Sequence, residues 1–153
     1  MLRTLVTVLA LASAVMGAQK PKTKEPRVKI TVDHKPEDCP VRSRQNDMLA
    51  MHYVGKFKDG SVFDNSYDRN MPLEFTLGTG MVIKGWDEGL KDMCVGEKRT
   101  LFIPYQMAYG EGGFAGRIPP KADLTFEVEL VDVIGRRDPK QYEYKDDPKH
   151  DEL

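Results

Sequence analysis

The chain has 153 residues, of which 40% are hydrophobic and 31% charged, and its formal net charge is −1. This length suits one ordinary domain with short appendages. Charges of both signs are mixed along the sequence, which excludes the basic face that nucleic-acid and membrane-surface binders carry. Two cysteines and three histidines, widely scattered, do not form a convincing metal site. We therefore expect neither a metal nor a cofactor.

Both ends of the chain carry targeting signals. Arg3 precedes an apolar or small run over residues 5–16, and small residues follow at 17 and 18, which predicts a signal peptide over residues 1–18. A buried helix of the mature fold is the alternative for this run. The chain ends in the endoplasmic reticulum retrieval signal, formed by His150, Asp151, Glu152 and Leu153. The two signals together predict the endoplasmic reticulum lumen, the retrieval receptor as a partner and no membrane insertion.

The two cysteines are interpreted through that compartment. Cys39 and Cys94 lie 55 positions apart and form no Cys-x-x-Cys pair, so they match neither a redox motif nor a zinc knuckle. In an oxidising lumen an even pair predicts a structural disulfide. Two free buried thiols are the alternative. A bridge closing so long a loop would stabilise the fold by about 4 kcal/mol by restricting the unfolded chain.

The amino-terminal part predicts a flexible leader that contains a first strand, over residues 19–38. Residues 19–26 are rich in lysine and proline. Residues 27–32 alternate between apolar and polar side chains, the pattern of a half-buried strand. Residues 35–47 are polar and contain two prolines, which predicts a loop.

A β-hairpin follows this loop. Residues 48–58 alternate, and the Asp-Gly pair at 59–60 is the strongest short-range signal for a tight hairpin turn. Phe63 resumes the apolar pattern after the turn. The alternation points Tyr53 and Asp64 inward, although charged residues in the polar segment 64–70 are more often simply solvated.

One short helix is predicted after a strand at residues 73–77. Trp86, Leu90 and Met93 recur at i, i+4 and i+7, which places one apolar stripe on a helix within residues 82–93. Because nearly all other patterns are strand patterns, this stripe is expected to pack on a sheet. Trp86 then forms either plain core, the commoner outcome, or the floor of a small apolar pocket.

The remaining strands enclose a long aromatic loop. Gly96 is a plausible cap for the helix, and strands are predicted at residues 99–103 and 124–134. Residues 104–120 between them are too long for a simple hairpin and contain four glycines and three prolines. This loop also carries the apolar residues Tyr105, Tyr109, Phe114 and Ile118. A loop so rich in aromatic residues must fold back on the domain or bind something, and we expect it to form a wall over Trp86.

The sequence offers no machinery for covalent catalysis. It contains no serine in a nucleophile elbow and no histidine placed beside a cysteine. The glycines at 110, 112 and 113 resemble a phosphate-binding loop, but no lysine or helix follows them. An enzyme built from this chain would act through shape and desolvation.

Several spaced motifs resemble those of the FKBP-type peptidyl-prolyl isomerases, in order and spacing over residues 47–134. The motifs are Tyr53-Val-Gly, Asp59-Gly60, Phe63-Asp64, Leu77-Gly78, Val82-Ile83-Lys84-Gly85-Trp86, Tyr109-Gly110, Ile118-Pro119-Pro120 and Phe126-Glu127-Val128-Glu129-Leu130. The targeting signals and the cysteine pair make the chain most similar to the small endoplasmic reticulum branch of this family. The domain organisation then becomes an isomerase domain over residues 39–134 and a flexible tail over 135–153.

The resemblance implies an α+β fold, in which a twisted antiparallel sheet of five or six strands wraps around one short amphipathic helix. It also implies a proline pocket whose catalytic set is Tyr53, Phe63, Asp64, Trp86, Tyr109 and Phe126. The substrate-binding set consists of Arg69, Leu73, Val82, Ile83, Phe114 and Ile118. In the family the tryptophan forms the floor, and the tyrosine hydroxyl and a backbone N–H donate to the ligand. These roles fall to Trp86, Tyr109 and Ile83.

Two functions are therefore expected. The first is isomerisation of X-Pro bonds in unfolded polypeptides by a monomer that macrolide immunosuppressants would inhibit. The second is a binding module or chaperone that holds proline-containing segments with little turnover. Phe114 and Arg117 depart from residues that the family often has, and Met81 and Leu73 lie at the pocket edge. We expect these residues to affect specificity and leave the floor of the pocket unchanged.

Overall fold

The computed structural model describes residues 25–136. Within that range six antiparallel strands form one sheet, and one α-helix packs against it. The elements are β1 (Lys29–His34), β2 (Met48–Phe57), β3 (Val62–Asn65), β4 (Leu73–Thr76), α1 (Lys84–Gly89), β5 (Lys98–Ile103) and β6 (Leu124–Ile134). The predicted fold class, an antiparallel sheet with one short helix, is confirmed.

The strand order is β1-β5-β6-β2-β3, and β4 also pairs with β2. β4 pairs with Met48–Met51 at the start of β2, whereas β3 pairs with Val54–Lys56 further along the same strand. The two short strands therefore lie end to end on one edge of β2. Between them the chain leaves the sheet and forms a 3-10 helix at Tyr67–Arg69. This excursion brings the polar segment after β3 beside the middle of β2.

Helix α1 packs closely on the sheet because two of its six residues are glycines. A Cβ atom on Gly89 would lie 3.0 Å from Leu101 on β5, and one on Gly85 would overlap the side chain of Ile103. Larger residues would lift the helix off β5. The close approach buries Trp86 together with the fully buried side chains of the core.

The predicted helix is longer than the observed one. Leu90 and Met93 are fully buried, as their spacing predicts, but the helix ends at Gly89 and Asp92 adopts a left-handed conformation. The guanidinium of Arg99, almost buried on β5, donates to the backbone carbonyls of Gly89, Lys91 and Asp92. A side chain of the sheet thus supplies hydrogen-bond donors to carbonyls at and just beyond the end of the helix. The prediction that Gly96 caps the helix is wrong.

Strand β1 is present, but the prediction that it is half-buried is wrong. All six of its residues are exposed, and Ile30 and Val32 remain 43% and 51% exposed. β1 forms one edge of the sheet and pairs only with β5. α1 packs against β5 and leaves the side chains of β1 exposed. The alternating pattern of β1 therefore predicts correctly that this segment is a paired strand, but not that one of its faces is buried.

Of the two alternatives for the cysteines, the structure contains the disulfide. The bridge joins Cys39 to Cys94, whose Cα atoms lie 5.3 Å apart, and ties the segment before β2 to the segment after α1. The predicted signal peptide and the retrieval signal lie outside the described residues. Residues 25–136 contain no helix long and apolar enough to cross a membrane.

Candidate active site

An open cavity of about 430 Å³ lies where the first turn of α1, the β2–β3 hairpin and the long loop after β5 meet. This volume is within the usual range for small-molecule sites. The cavity is lined by Tyr53, Phe63, Asp64, Leu73, Met81, Val82, Ile83, Trp86, Tyr109, Phe114 and Phe126. The wall is therefore mostly aromatic and aliphatic, with one carboxylate.

Trp86 is both core and floor. Its side chain is only 3% exposed, yet it lines the cavity. The rings of Tyr53 and Phe126 meet the indole edge-on at centroid distances of 5.2 and 5.3 Å, and Phe75 packs against it at 5.6 Å. The indole Nε1 is buried without a hydrogen-bond partner among the described residues. These contacts hold the indole in one orientation.

A hydrogen-bonded group of Tyr53, Asp64 and Arg69 forms the polar side of the cavity. The Tyr53 hydroxyl donates to Asp64 at 2.5 Å, and the Arg69 guanidinium donates to Asp64 at 2.6 Å and to the Tyr53 hydroxyl at 2.9 Å. Burial acts to raise the pKa of Asp64, but hydrogen bonds from Tyr53 and Arg69 outweigh it and lower that pKa below 3.8. Burial and the Asp64 carboxylate raise the pKa of Tyr53 above 10.

Ser66 aligns this group, a role that the sequence patterns do not predict. The side chain of Ser66 is fully buried, and its hydroxyl accepts from the backbone N–H of Tyr53 at 2.8 Å. Its own backbone N–H donates to the Tyr53 carbonyl at 3.0 Å. These bonds replace the strand pairing that β2 lacks between β3 and β4. A serine in a polar turn gave no sequence signal for this role.

Phe63 forms the wall beside the hairpin. Its ring contacts Phe57 at 4.9 Å and meets Phe126 edge-on at 5.6 Å. A Cβ atom on Gly55 would lie 2.6 Å from the ring of Phe63, so the glycine on β2 is what lets this ring pack against the backbone of the strand.

The long loop forms the opposite wall, where Tyr109 and Phe114 pack with their ring centroids 5.3 Å apart. Backbone hydrogen bonds pair Phe114 with Ile118 in both directions, at 2.9 and 3.1 Å. Burial, and secondarily the charge of Asp64, raise the pKa of Tyr109 above 10. The Tyr109 phenol is therefore a neutral donor near pH 7.

Two hydrogen-bond donors on the wall lack partners. Within residues 25–136, neither the Tyr109 hydroxyl nor the Ile83 backbone N–H makes a hydrogen bond. Ile83 immediately precedes α1, and the first N–H groups of a helix have no partner within it. The carboxylate of Asp87 fixes the preceding turn by accepting from the N–H groups of Gly78 and Gly80. Both free donors are thus held in place on the cavity wall.

Ten of the twelve predicted site residues line the cavity, and two do not. Ile118 is 5% exposed and packs in the core, and its contribution is the backbone pairing with Phe114. Arg69 is absent from the lining and contacts it through Asp64 and Tyr53. Met81, which the sequence analysis placed only at the edge, is part of the wall. No cluster of potential metal ligands occurs among the described residues.

This geometry defines a class of protein: a small antiparallel domain that takes an apolar group into an aromatic cavity and holds it by shape and hydrogen bonds. Its wall carries no serine, cysteine, histidine or lysine. A model of the family described as FKBP-type peptidyl-prolyl cis-trans isomerase matches residues 39–131. The chain belongs to this family and is accordingly an isomerase.

Individual relatives agree with that assignment. The chain is 49% identical to peptidyl-prolyl cis-trans isomerase FKBP2 of Mus musculus over 128 residues, which cover 84% of this chain and 89% of the mouse protein. It is 56% identical to peptidyl-prolyl cis-trans isomerase FPR2 of Saccharomyces cerevisiae over 98 residues, or 63% of this chain and 73% of the yeast protein. The crystal structure of AtFKBP13 matches with a TM-score of 0.62 at 37% identity, covering 69% of this chain and 92% of that one.

Proposed function

We propose that this isomerase accelerates rotation about X-Pro bonds in folding proteins of the secretory pathway by apolar desolvation and hydrogen-bond anchoring, without a covalent intermediate. The observation that supports this best is the combination of an aromatic cavity with two unpartnered donors on its wall. The other groups there that could take part in proton transfer are the Asp64 carboxylate and the Tyr53 hydroxyl, which are bonded to each other.

The chemistry follows from the amide bond. Rotation about an X-Pro bond crosses a barrier of about 20 kcal/mol, because the twisted state loses resonance between nitrogen and carbonyl. Twisting also reduces charge separation across the amide. A dry, apolar cavity therefore destabilises the planar amide relative to the twisted one. Trp86, Phe63 and Phe126 supply that environment.

The two donors would convert binding into catalysis. Carbonyls flanking the proline can accept from the Tyr109 hydroxyl and the Ile83 N–H, which the free protein leaves unpaired. Fixing both carbonyls while the proline ring rests on Trp86 restrains the peptide on either side of the rotating bond. Interactions that are satisfied best in the twisted geometry lower the barrier.

The test is a protease-free isomerisation assay on residues 19–153, with Phe63→Ala as the variant and Phe102→Ala as its control. Phe102 lies on β5, is 44% exposed and is not on the cavity wall. Loss of Phe63 should lower kcat/KM at least tenfold, which corresponds to about 1.4 kcal/mol. Phe102→Ala should leave it unchanged. Equal activity in both folded variants would refute the proposed mechanism.

Macrolide binding belongs to the same proposal. A macrolide immunosuppressant should compete with proline peptides for the cavity, because it would occupy the apolar walls and the same two donors. Competition that survives Phe63→Ala unchanged would place the macrolide elsewhere.

The compartment is proposed from the two targeting signals in the sequence. We propose that residues 1–18 are a signal peptide and that the mature monomer resides in the lumen of the endoplasmic reticulum. The retrieval receptor would bind His150, Asp151, Glu152 and Leu153. Deleting those four residues should release the protein into the medium of secreting cells. Retention of the shortened chain would contradict the receptor assignment.

A second function, holding proline-containing segments without turnover, is favoured by the apolar mouth of the cavity. Leu73, Met81 and Phe114 line the cavity and are 39%, 64% and 52% exposed. Such a surface can retain unfolded segments for longer than catalysis requires. Binding of a proline peptide with no acceleration of its isomerisation would favour this function.

A further inference from the structure

Two methionines are equally exposed, but only one lies on the wall of the cavity. Met71 and Met81 are each 64% exposed. Met81 lines the cavity, whereas Met71, in the segment before β4, does not. The Met81 Sδ accepts a hydrogen bond from the backbone N–H of Thr76 at 3.4 Å, which fixes the thioether at the wall.

These thioethers are the most exposed sulfur atoms within residues 25–136. Both cysteines of the chain are joined in the disulfide, so no thiol competes for oxidation. Among the described methionines, Met51 and Met93 are fully buried and Met107 is 6% exposed, while Met48 is 45% exposed at the start of β2. Exposure controls how readily a methionine is oxidised.

We propose that Met81 is a site of reversible oxidation by hydroperoxides, and that its sulfoxide weakens binding of apolar proline-containing segments in the cavity. The proposal rests on the function proposed above. In the reaction the sulfur lone pair attacks one peroxide oxygen, a sulfur–oxygen bond forms and the O–O bond breaks. The other oxygen leaves with a proton as water or alcohol. Sulfur loses two electrons and the peroxide gains them.

The sulfoxide would act through the polarity of the wall. A methionine sulfoxide carries a strong, polar oxygen acceptor where the thioether presented an apolar surface. A bound peptide that covers the mouth would have to remove water from this oxygen without replacing its hydrogen bonds. KM for a peptide with an apolar residue before proline should therefore rise, with little change in kcat, because the floor at Trp86 and the donor at Tyr109 are untouched.

The effect is reversible in principle, since methionine sulfoxide reductases return the sulfoxide to the thioether at the expense of a thiol reductant. The disulfide is a separate redox couple and lies away from the wall, joining the segments on either side of β2 and α1. A reversible loss of affinity that needs the reductase, and not the thiol reductant alone, would thus identify the thioether.

The experiment treats the mature chain and its Met81→Leu and Met71→Leu variants with hydrogen peroxide, maps the sulfoxides by peptide mass spectrometry and measures kcat and KM before and after. Each variant is compared with its own untreated sample. We expect oxidation at Met81 and Met71 with none at Met51 or Met93, and a rise in KM of at least threefold in the parent chain and in Met71→Leu. Met81→Leu should show no rise, and reductase treatment should restore the parent.

The outcomes separate this proposal from the function on which it rests. Absence of isomerase activity before peroxide would overturn the proposed function, and mapping would still report on the sulfur. An unmodified Met81 after Met71 is fully oxidised would overturn the site. A fully oxidised Met81 with unchanged KM, or an equal rise in KM in all three chains, would overturn its effect on binding.

Discussion

The substitution Tyr109→Phe removes a single oxygen and tests the anchoring step directly. In the free protein this hydroxyl has no hydrogen-bond partner within residues 25–136, so its loss leaves no buried group unpaired. The ring still packs on Phe114, and the free energy of unfolding should change by less than about 0.5 kcal/mol. If the hydroxyl donates to a substrate carbonyl, the variant loses the net free energy that this hydrogen bond contributes to binding the twisted peptide.

A neutral hydrogen bond is worth about 0.5–1.5 kcal/mol, which predicts a fall in kcat/KM of roughly 2- to 13-fold. The measurement is a protease-free isomerisation assay, accompanied by chemical unfolding of both proteins. Tyr105→Phe is the control, because its hydroxyl contacts Glu111 at 3.5 Å and its side chain is not on the cavity wall. A Tyr109→Phe chain as active as the parent would refute the anchoring role, and an equal loss in Tyr105→Phe would attribute the effect to the loop.

The remaining predictions concern pH and the disulfide. The titratable groups on the cavity wall are Asp64, with its pKa lowered below 3.8, and Tyr53 and Tyr109, with theirs raised above 10. The carboxyl is therefore ionised and both phenols are protonated throughout the range between, so kcat/KM should stay constant from about pH 5 to 9. A bell-shaped profile in that range would require an acid–base group that this mechanism lacks. Replacing Cys39 and Cys94 by serine should lower the free energy of unfolding by about 4 kcal/mol, measured by urea unfolding. A loss below about 1 kcal/mol would contradict the claim that the disulfide stabilises the fold by restricting the unfolded chain.

The sequence predicted strongly patterned elements well. β6 alternates cleanly and was placed at the bounds that the structure has, and the Asp-Gly turn fixed the hairpin of β2 and β3. Local pattern suffices in these cases because each strand has one face on the core and the turn has few conformations open to it. β1 was misjudged because alternation says nothing about whether a helix covers the strand.

The C-terminal end of α1 is bound by a residue of a later strand. Leu90 and Met93 keep the helical spacing and are buried, yet the helix stops at Gly89, where Arg99 on a later strand binds the carbonyls of Gly89 and Lys91. The role of Ser66 is equally non-local, since it replaces missing strand pairing at Tyr53. Interactions of this kind follow from the sheet topology, and the periodicity of apolar residues does not report them.

The residues that line the cavity were identified through spaced motifs, whereas their arrangement comes from packing. Ile118 belongs to a motif but is buried in the core, whereas Phe114, with which its backbone pairs, lies on the wall. Position in a motif thus identifies residues that build a site without saying whether they touch the ligand. Met81 shows the converse, since it lies on the wall although it stands outside the motifs.

The double role of Trp86 follows from what an open apolar cavity requires. Aromatic walls in water gain free energy by closing on one another, so a cavity of about 430 Å³ stays open only if its walls are held from behind. Trp86 is held by Tyr53, Phe75 and Phe126, with two of the three rings meeting it edge-on, so it cannot move into the space above it without breaking core contacts. Burial of the indole therefore supports the pocket, because a floor that rests on the core resists collapse. Trp86 is therefore both a core residue and the floor of the cavity, the two interpretations that its helical spacing left open.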